Sequence, residues 1–221
     1  MLTIDQYNGA PAIKRLGRLL AEQTIEHLAS RNMSGYYYDT KEDAANAVME
    51  MLPKGASVGF GGSVTLHSLG LYQRILDGPY NSYNRFDSTL SGPQIMEVQR
   101  EALLADVFLS GTNAITSDGR LVNIDGRGNR VAALLFGPRK VIVVCGVNKI
   151  VHGLDNAIKR VKEIACPLNA DRLGLKTPCS ATGSCHECHS AQRMCNFLTV
   201  IEGQQDPKRL TVVFVGEALG F

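Results

Sequence analysis

The stretch Gly111–Ile150, GTNAITSDGRLVNIDGRGNRVAALLFGPRKVIVVCGVNKI, carries the pattern from which the rest of the chain can be read. A short strand runs up to Ile115, Ser117-Asp118-Gly119 turns it, and Arg120–Ile124 forms a second strand. A glycine-bearing junction from Asp125 to Arg130 then leads into the apolar helix Val131–Phe136, and Lys140–Cys145 reads as a buried strand. Polar residues gather where strands end and the helix begins: Asn113, Asn123, Asp125, Arg127, Asn129 and Arg130. Loops in that position on open α/β sheets collect ligands. A helix start also offers free N–H groups and a positive dipole end, so an anion is expected there.

Upstream, Ala56–Gly59 reads as a strand, Phe60–Ser63 as a tight turn and Val64–Leu76 as a helix. Gly59, Gly61 and Gly62 suit a junction that needs positive φ or close backbone approach, and Ser63 and Thr65 add hydroxyl groups. A dinucleotide fingerprint fits poorly, because the third glycine position is Val64 and Asp77 falls at a helix end. His67, alone inside this helix, is read as structural. The two junctions predict one pocket for a phosphate or carboxylate, lined by Gly61, Gly62, Ser63, Asn123, Asp125 and Arg127. Thr65, Asn113, Asn129, Arg130 and Lys149 stand as further anion-binding candidates. Asp125 is a candidate general base if burial raises its pKa, and equally a turn or capping carboxylate.

Further out, apolar residues at helical spacing (Ile13, Leu16, Leu19, Leu20, Ile25, Leu28) predict a long helix from about Gln6 to Arg31. Gly35–Asp39 follows as a strand, and Thr40–Met51 as a helix capped by Thr40 with Asp43. Asn81–Phe86 is a predicted strand, Ser91–Ala105 a helix with Pro93 in its first turn, Asp106–Ser110 a strand and Asp155–Ala165 a helix. Strands alternating with helices give an α/β fold with a mainly parallel sheet covered on both faces, in one domain over residues 1–221. Phe197–Ile201 and Arg209–Val215 also read as strands. They could pair as a hairpin or join the main sheet.

Of the 221 residues 44% are hydrophobic, enough for a sizeable core. A formal charge of +2 with mixed signs gives no basic stripe, which argues against nucleic acid. No secretion signal or membrane-length apolar run is present, so a cytoplasmic protein is expected, in which thiols stay reduced. Between residues 176 and 196 the hydrophobic periodicity disappears and Met194 is the only large hydrophobe. Cys179, Cys185, Cys188 and Cys195 stand there at C-x5-C-x2-C-x6-C spacing. Ordering such a segment costs backbone entropy that little apolar surface offsets, which favours a metal site held by these four thiols. Zinc and an iron–sulfur cluster both accept four thiolates, and His186 or His189 could replace one in a zinc site. Cys145 reads as a buried small hydrophobe; Cys166 either lies near the cluster or caps the preceding helix.

The Gly111–Ile150 run, together with Gly59–Leu66, resembles the LUD domain, named for lactate-utilisation proteins, and particularly its lactate-utilisation protein C-like members. The resemblance covers about Ala44 to Ile164 and, in a cysteine-bearing subgroup, runs on to the C-terminus. It implies a fold like that of ribose-5-phosphate isomerases, glucosamine-6-phosphate isomerases and CoA-transferases, and it favours a [4Fe–4S] cluster over zinc. It further implies a role in redox metabolism of lactate or a similar small organic acid, with a small anionic metabolite and a redox partner protein, in a homodimer. Two alternatives stay open. One is a stand-alone isomerase, acyl transferase or hydrolase on a phosphorylated or carboxylated metabolite; the other is a metal-dependent sensor.

Overall fold

The computed structural model describes residues 11–221, and two sheets divide its strands. The larger is six-stranded and wholly parallel, in the order β1 (Ser34–Tyr38), β10 (Leu210–Val215), β7 (Lys140–Gly146), β4 (Val107–Gly111), β2 (Ser57–Phe60), β3 (Asn81–Ser82). The smaller joins β8 (Ile150–Val151), β5 (Ala114–Thr116), β6 (Leu121–Asp125) and β9 (Phe197–Ile201), with β6 antiparallel to both neighbours.

The central strands β7 and β10 are apolar runs because both of their faces are covered. Ile142, Val144, Val213 and Val215 pack on one side with Ala44, Ala45 and Val48 of α2 (Lys41–Glu50) and with Leu66, Leu71 and Ile75. Val141, Val143, Cys145, Val212 and Phe214 pack on the other with α1 (Pro11–Ser30) and with Ile115, Leu121 and Ile201 of the smaller sheet. The α/β class, with a mainly parallel sheet and helices on both faces, is as the sequence predicts.

Several elements differ from the sequence reading. The helix expected over Val64–Leu76 is two, α3 (Val64–Ser68) and α4 (Leu71–Leu76), because Gly70 enters the left-handed region at φ 66°. The strand expected over Asn81–Phe86 shrinks to β3, after which Asn84 and Asp87 accept hydrogen bonds from Phe86 and Thr89 N–H, forming turns that compete with a ladder. The helix α1 buries Gly17, Ala21, Thr24 and Leu28, while Leu16 is 58% exposed and Ile13 and Leu19 also face outward. Its expected start at Gln6 lies outside the described residues. The helix expected over Ser91–Ala105 is α5 (Gly92–Glu101), with Ser91 as its N-cap, and α6 spans Asn129–Leu135. The helix α7 (Leu154–Arg160) widens into a π turn over Val161–Ala165 before α8 (Cys166–Arg172), where Pro167 has no N–H to continue an α ladder. β9 and β10 form no hairpin; each joins a different sheet. Among the described residues no helix is long and apolar enough to cross a membrane.

Candidate functional site

A cavity of about 700 Å³ opens where the C-terminal ends of β2 and β4 meet β6. Both glycine-bearing junctions reach it: Gly62 and Ser63 from one, Asp125, Arg127, Asn129 and Arg130 from the other. Asn113 and Lys149 also line it, whereas Gly61, Thr65 and Asn123 support it from behind. Its charged wall is lopsided. Arg85, Arg127, Arg130, Lys149, Arg172 and Arg193 face Asp125 as the one acidic side chain among the described residues.

The electrostatics follow from how each group is held. Arg130 is buried, donating to Gly111 O at 3.3 Å, Asn123 Oδ1 at 2.6 Å, Asn113 Oδ1 at 2.9 Å and Ile124 O at 2.8 Å. Those four N–H groups end on neutral oxygens, so Arg130 gives the cavity charge and fixes its walls without being free to clamp a ligand. Burial lowers its pKa, with Asp125 acting in the opposite sense. Arg160, behind the wall, donates to the carbonyls of Asn148 and Asn113. Lys149 Nζ donates to Thr65 Oγ1 at 3.0 Å and Thr112 O at 3.1 Å, and burial pushes its pKa down to about 8. Asn123 holds Asn113 N–H and Arg130 on its oxygen, and its buried Nδ2 finds no acceptor. Arg127, exposed on the loop, keeps its guanidinium free among the described residues.

Asp125 itself occupies the place expected for an external anion. Its carboxylate accepts from the N–H groups of Gly126, Arg130 and Val131 at 2.9, 3.0 and 3.1 Å, the capping arrangement that the sequence left open. The first junction also differs in its physical cause. Gly59, Gly61 and Gly62 are not in the positive-φ region; close packing makes the demand at Gly61, where a Cβ would stand 3.0 Å from Arg130 Cγ and Cδ and from Ser110 Oγ. In the second junction Gly128, with φ 89°, is the residue that needs glycine for its backbone. Gly61→Ala is therefore expected to cost about 1–2 kcal/mol in chemical denaturation by overpacking. Gly62→Ala, whose Cβ meets nothing nearer than 3.9 Å, should lie within about 0.5 kcal/mol of the parent. Equal losses at both positions would remove this account.

The family model for the LUD domain matches residues 21–215, so it spans both junctions and all but the ends of the chain. The chain belongs to the LUD-domain family. A DUF162 family protein from Deinococcus radiodurans has a similar structure, at 17% identity and TM-score 0.53, covering 90% of this chain and 98% of that one. Ribose-5-phosphate isomerase A from Neisseria gonorrhoeae aligns at 17% identity and TM-score 0.33, over 52% of this chain and 54% of its own. The eIF2B-beta2-delta2 complex from C. thermophilum aligns at 16% identity and TM-score 0.40, over 78% and 55%. No curated protein matches the sequence.

In this LUD domain the cysteine segment makes one wall of the cavity. Leu175, Ala191, Gln192, Arg193, Met194 and Asn196 line it beside Cys166, Asn169 and Arg172 of α8. The single turn α9 (Pro178–Thr182), which carries Cys179, packs on α8, and Cys195 packs in the same apolar cluster as Cys166. Burial pushes the Cys166 thiol up to about 12, and Cys195, Cys185 and Cys179 add to that. Burial also raises Cys195, helped by Cys185, Cys188 and Cys179 and opposed by Arg193. Cys166 thus feels three of the segment's thiols, and Cys195 the other three of its own segment. Among the described residues, however, no three His, Cys, Asp or Glu side chains converge closely enough to hold one metal ion. His186 Nε2 is engaged with Thr182 Oγ1 at 2.7 Å. Sequence reasoning missed Arg85, Arg172 and Arg193 as wall residues and left Cys166 undecided; no spacing relates them to the junctions.

Proposed function

We propose that this LUD domain is a cytoplasmic iron–sulfur protein that binds a small anionic metabolite in redox metabolism of lactate or a similar organic acid. The observation that supports it is the cationic cavity with a wall from the cysteine segment, six basic side chains against one acidic side chain among the described residues. A water-limited cleft with that imbalance favours a phosphate or carboxylate, which supplies the missing negative charge. Arg127 has the most freedom to meet it, while Arg130 and Lys149 contribute field from the floor.

The thiol set fits a cluster better than a single ion. Ligands sharing one zinc must all reach within about 2.3 Å of it, whereas a four-iron cluster offers a separate corner to each thiolate and tolerates wider spacing. Cys179, Cys185, Cys188 and Cys195 would hold it, with Cys166 as the fifth thiol on the cavity side. When bound, such a cluster supplies one-electron transfer. This chain's own residues orient the acid and shield it on one side. The outward stripe Ile13, Leu16 and Leu19 on α1 is the surface we assign to a homodimer.

Two measurements test the reading. Anaerobically purified protein should contain iron and sulfide, and Cys→Ser at positions 179, 185, 188 or 195 should lower the iron by at least about half. Phosphate or a small carboxylate at 100 times its Kd should stabilise the fold by about 2.7 kcal/mol, visible as a higher Tm. Zinc in native preparations, or no response to any anion, would end it. The buried amine of Lys149 favours a second reading, an enzyme acting on a carboxylated metabolite.

A further inference from the structure

Lys149 is the one lysine on the cavity wall among the described residues, and it is 3% exposed. Its two hydrogen bonds can be assigned without ambiguity. Thr112 O is a carbonyl and only accepts; Thr65 spends its own hydrogen on Leu219 O at 3.3 Å, so its oxygen also accepts from Nζ. Two N–H groups are therefore committed, and a tetrahedral nitrogen has one position left. In the ammonium form that position carries a third hydrogen. In the neutral amine it carries the lone pair.

The surroundings weaken the ammonium form, so that a usable share of neutral amine exists near neutral pH. No carboxylate pairs with Lys149 among the described residues; the groups that act on it are the buried Cys145 thiol, Arg160 and Arg130. Burial first, and then the two guanidinium groups, disfavour the ammonium, while Cys145 opposes them. A desolvated lysine beside other cations is the standard way to keep an amine nucleophilic near neutral pH.

Resting on the anion-pocket reading above, we propose that Lys149 forms an imine with a small carbonyl-bearing acid, such as a 2-oxo acid, bound in the cavity. The Nζ lone pair attacks the carbonyl carbon, the C–O π pair moves to oxygen, and the proton leaving nitrogen neutralises that oxygen. The carbinolamine then loses its hydroxyl with one solvent proton as water, leaving a protonated C=N. The positive charge of the ammonium reappears on the iminium, which keeps one N–H for Thr65 Oγ1 or Thr112 O and releases the other acceptor. No oxidant or reductant enters. The acid group of the ligand is met by the cationic wall, with Arg127 the free donor.

The test treats the whole protein with pyruvate and sodium cyanoborohydride, which reduces an imine to a stable secondary amine, and maps the adduct by peptide mass spectrometry. A single dominant adduct on Lys149 is expected. Its yield should rise about fivefold from pH 7 to pH 8 and level off above that, whereas exposed lysines gain about tenfold per pH unit through pH 9. Inorganic phosphate should protect Lys149 from labelling, a readout that needs no variant. Lys149→Arg should lose the adduct, and the phosphate-induced rise in Tm is measured on the unsubstituted protein. Phosphate stabilisation without any Lys149 adduct would overturn the imine and leave the anion pocket standing. Absence of both would overturn both, and labelling confined to exposed lysines overturns the imine as well.

Discussion

Replacing Arg130 by methionine is expected to destabilise the protein by about 3–5 kcal/mol. Methionine fills much of the space of the side-chain stem but returns none of the four hydrogen bonds. Gly111 O and Ile124 O, and the side-chain oxygens of Asn113 and Asn123, would lose their donor together, and Gly111, Asn123 and Ile124 are buried. Each unsatisfied buried acceptor costs about 1–3 kcal/mol, and partial relaxation of the loop recovers some of that. Gly111 ends β4 of the large sheet and Asn123 and Ile124 lie in β6 of the small one, so one side chain ties the two sheets together at the cavity. A fall in Tm of roughly 10 °C is the corresponding readout for a chain of this size. A loss below about 1 kcal/mol would mean that Arg130 serves a ligand and not the frame.

The second large effect is a rise of stability with pH that belongs to Lys149. Unfolded, its amine titrates near 10.5; folded, it titrates at about 8. Below pH 8 both states hold the proton and the folded state bears the whole penalty of the buried charge. Between pH 8 and 10.5 the unfolded state binds more protons, so unfolding free energy increases with pH, by about 3 kcal/mol across the window. Other groups run the opposite way higher up. Cys145 is raised from 9.0 to about 11 and Cys166 from 9.0 to about 12, so their stabilising neutral forms cost the folded state relative to free ionisation once pH exceeds 9. The difference curve between the parent and Lys149→Met isolates the lysine, and it should climb from pH 8. A flat difference would show that the amine is not desolvated. A bound anion lowers the charge penalty and should shift the climb to higher pH.

How much of this was legible in the sequence depends on how local the cause is. The alternation of strands and helices, the Thr40 cap, the helix start at Ser91 with Pro93 in its first turn, and the two junctions are set by neighbours within a few residues, and they appear at or near their expected positions. Asp125 was legible as one of two roles, and its three N–H contacts are the capping one. The outward turn of Leu16 and Leu19 was not legible, because small residues such as Gly17 and Ala21 let α1 approach β1 and Val147 closely, and periodicity weighted by hydrophobicity points elsewhere. Nor was the partition of β9 and β10: both are short apolar strands, and only long-range pairing separates them. The cavity wall is the extreme case, since Arg85, Arg172 and Arg193 come from three segments whose meeting no spacing encodes.

The strand that joins β1 to the rest of the large sheet is the last of its strands to leave the ribosome. Ser34 of β1 pairs with Thr211 of β10, and β10 pairs on its other side with β7, so β1 has no neighbour in its sheet until β10 exists. Through most of synthesis β1 stays unpaired, and from the emergence of β7 until that of β10 the chain also carries an open apolar edge, the condition in which nascent proteins stick to one another and depend on chaperones. Closure pays off only through contacts distant in sequence, which makes folding slow relative to a helical protein of equal length. All six thiols emerge before that closing strand. The cysteine segment is therefore exposed to whatever iron, zinc or oxidant the cell presents before the wall it will occupy has been built.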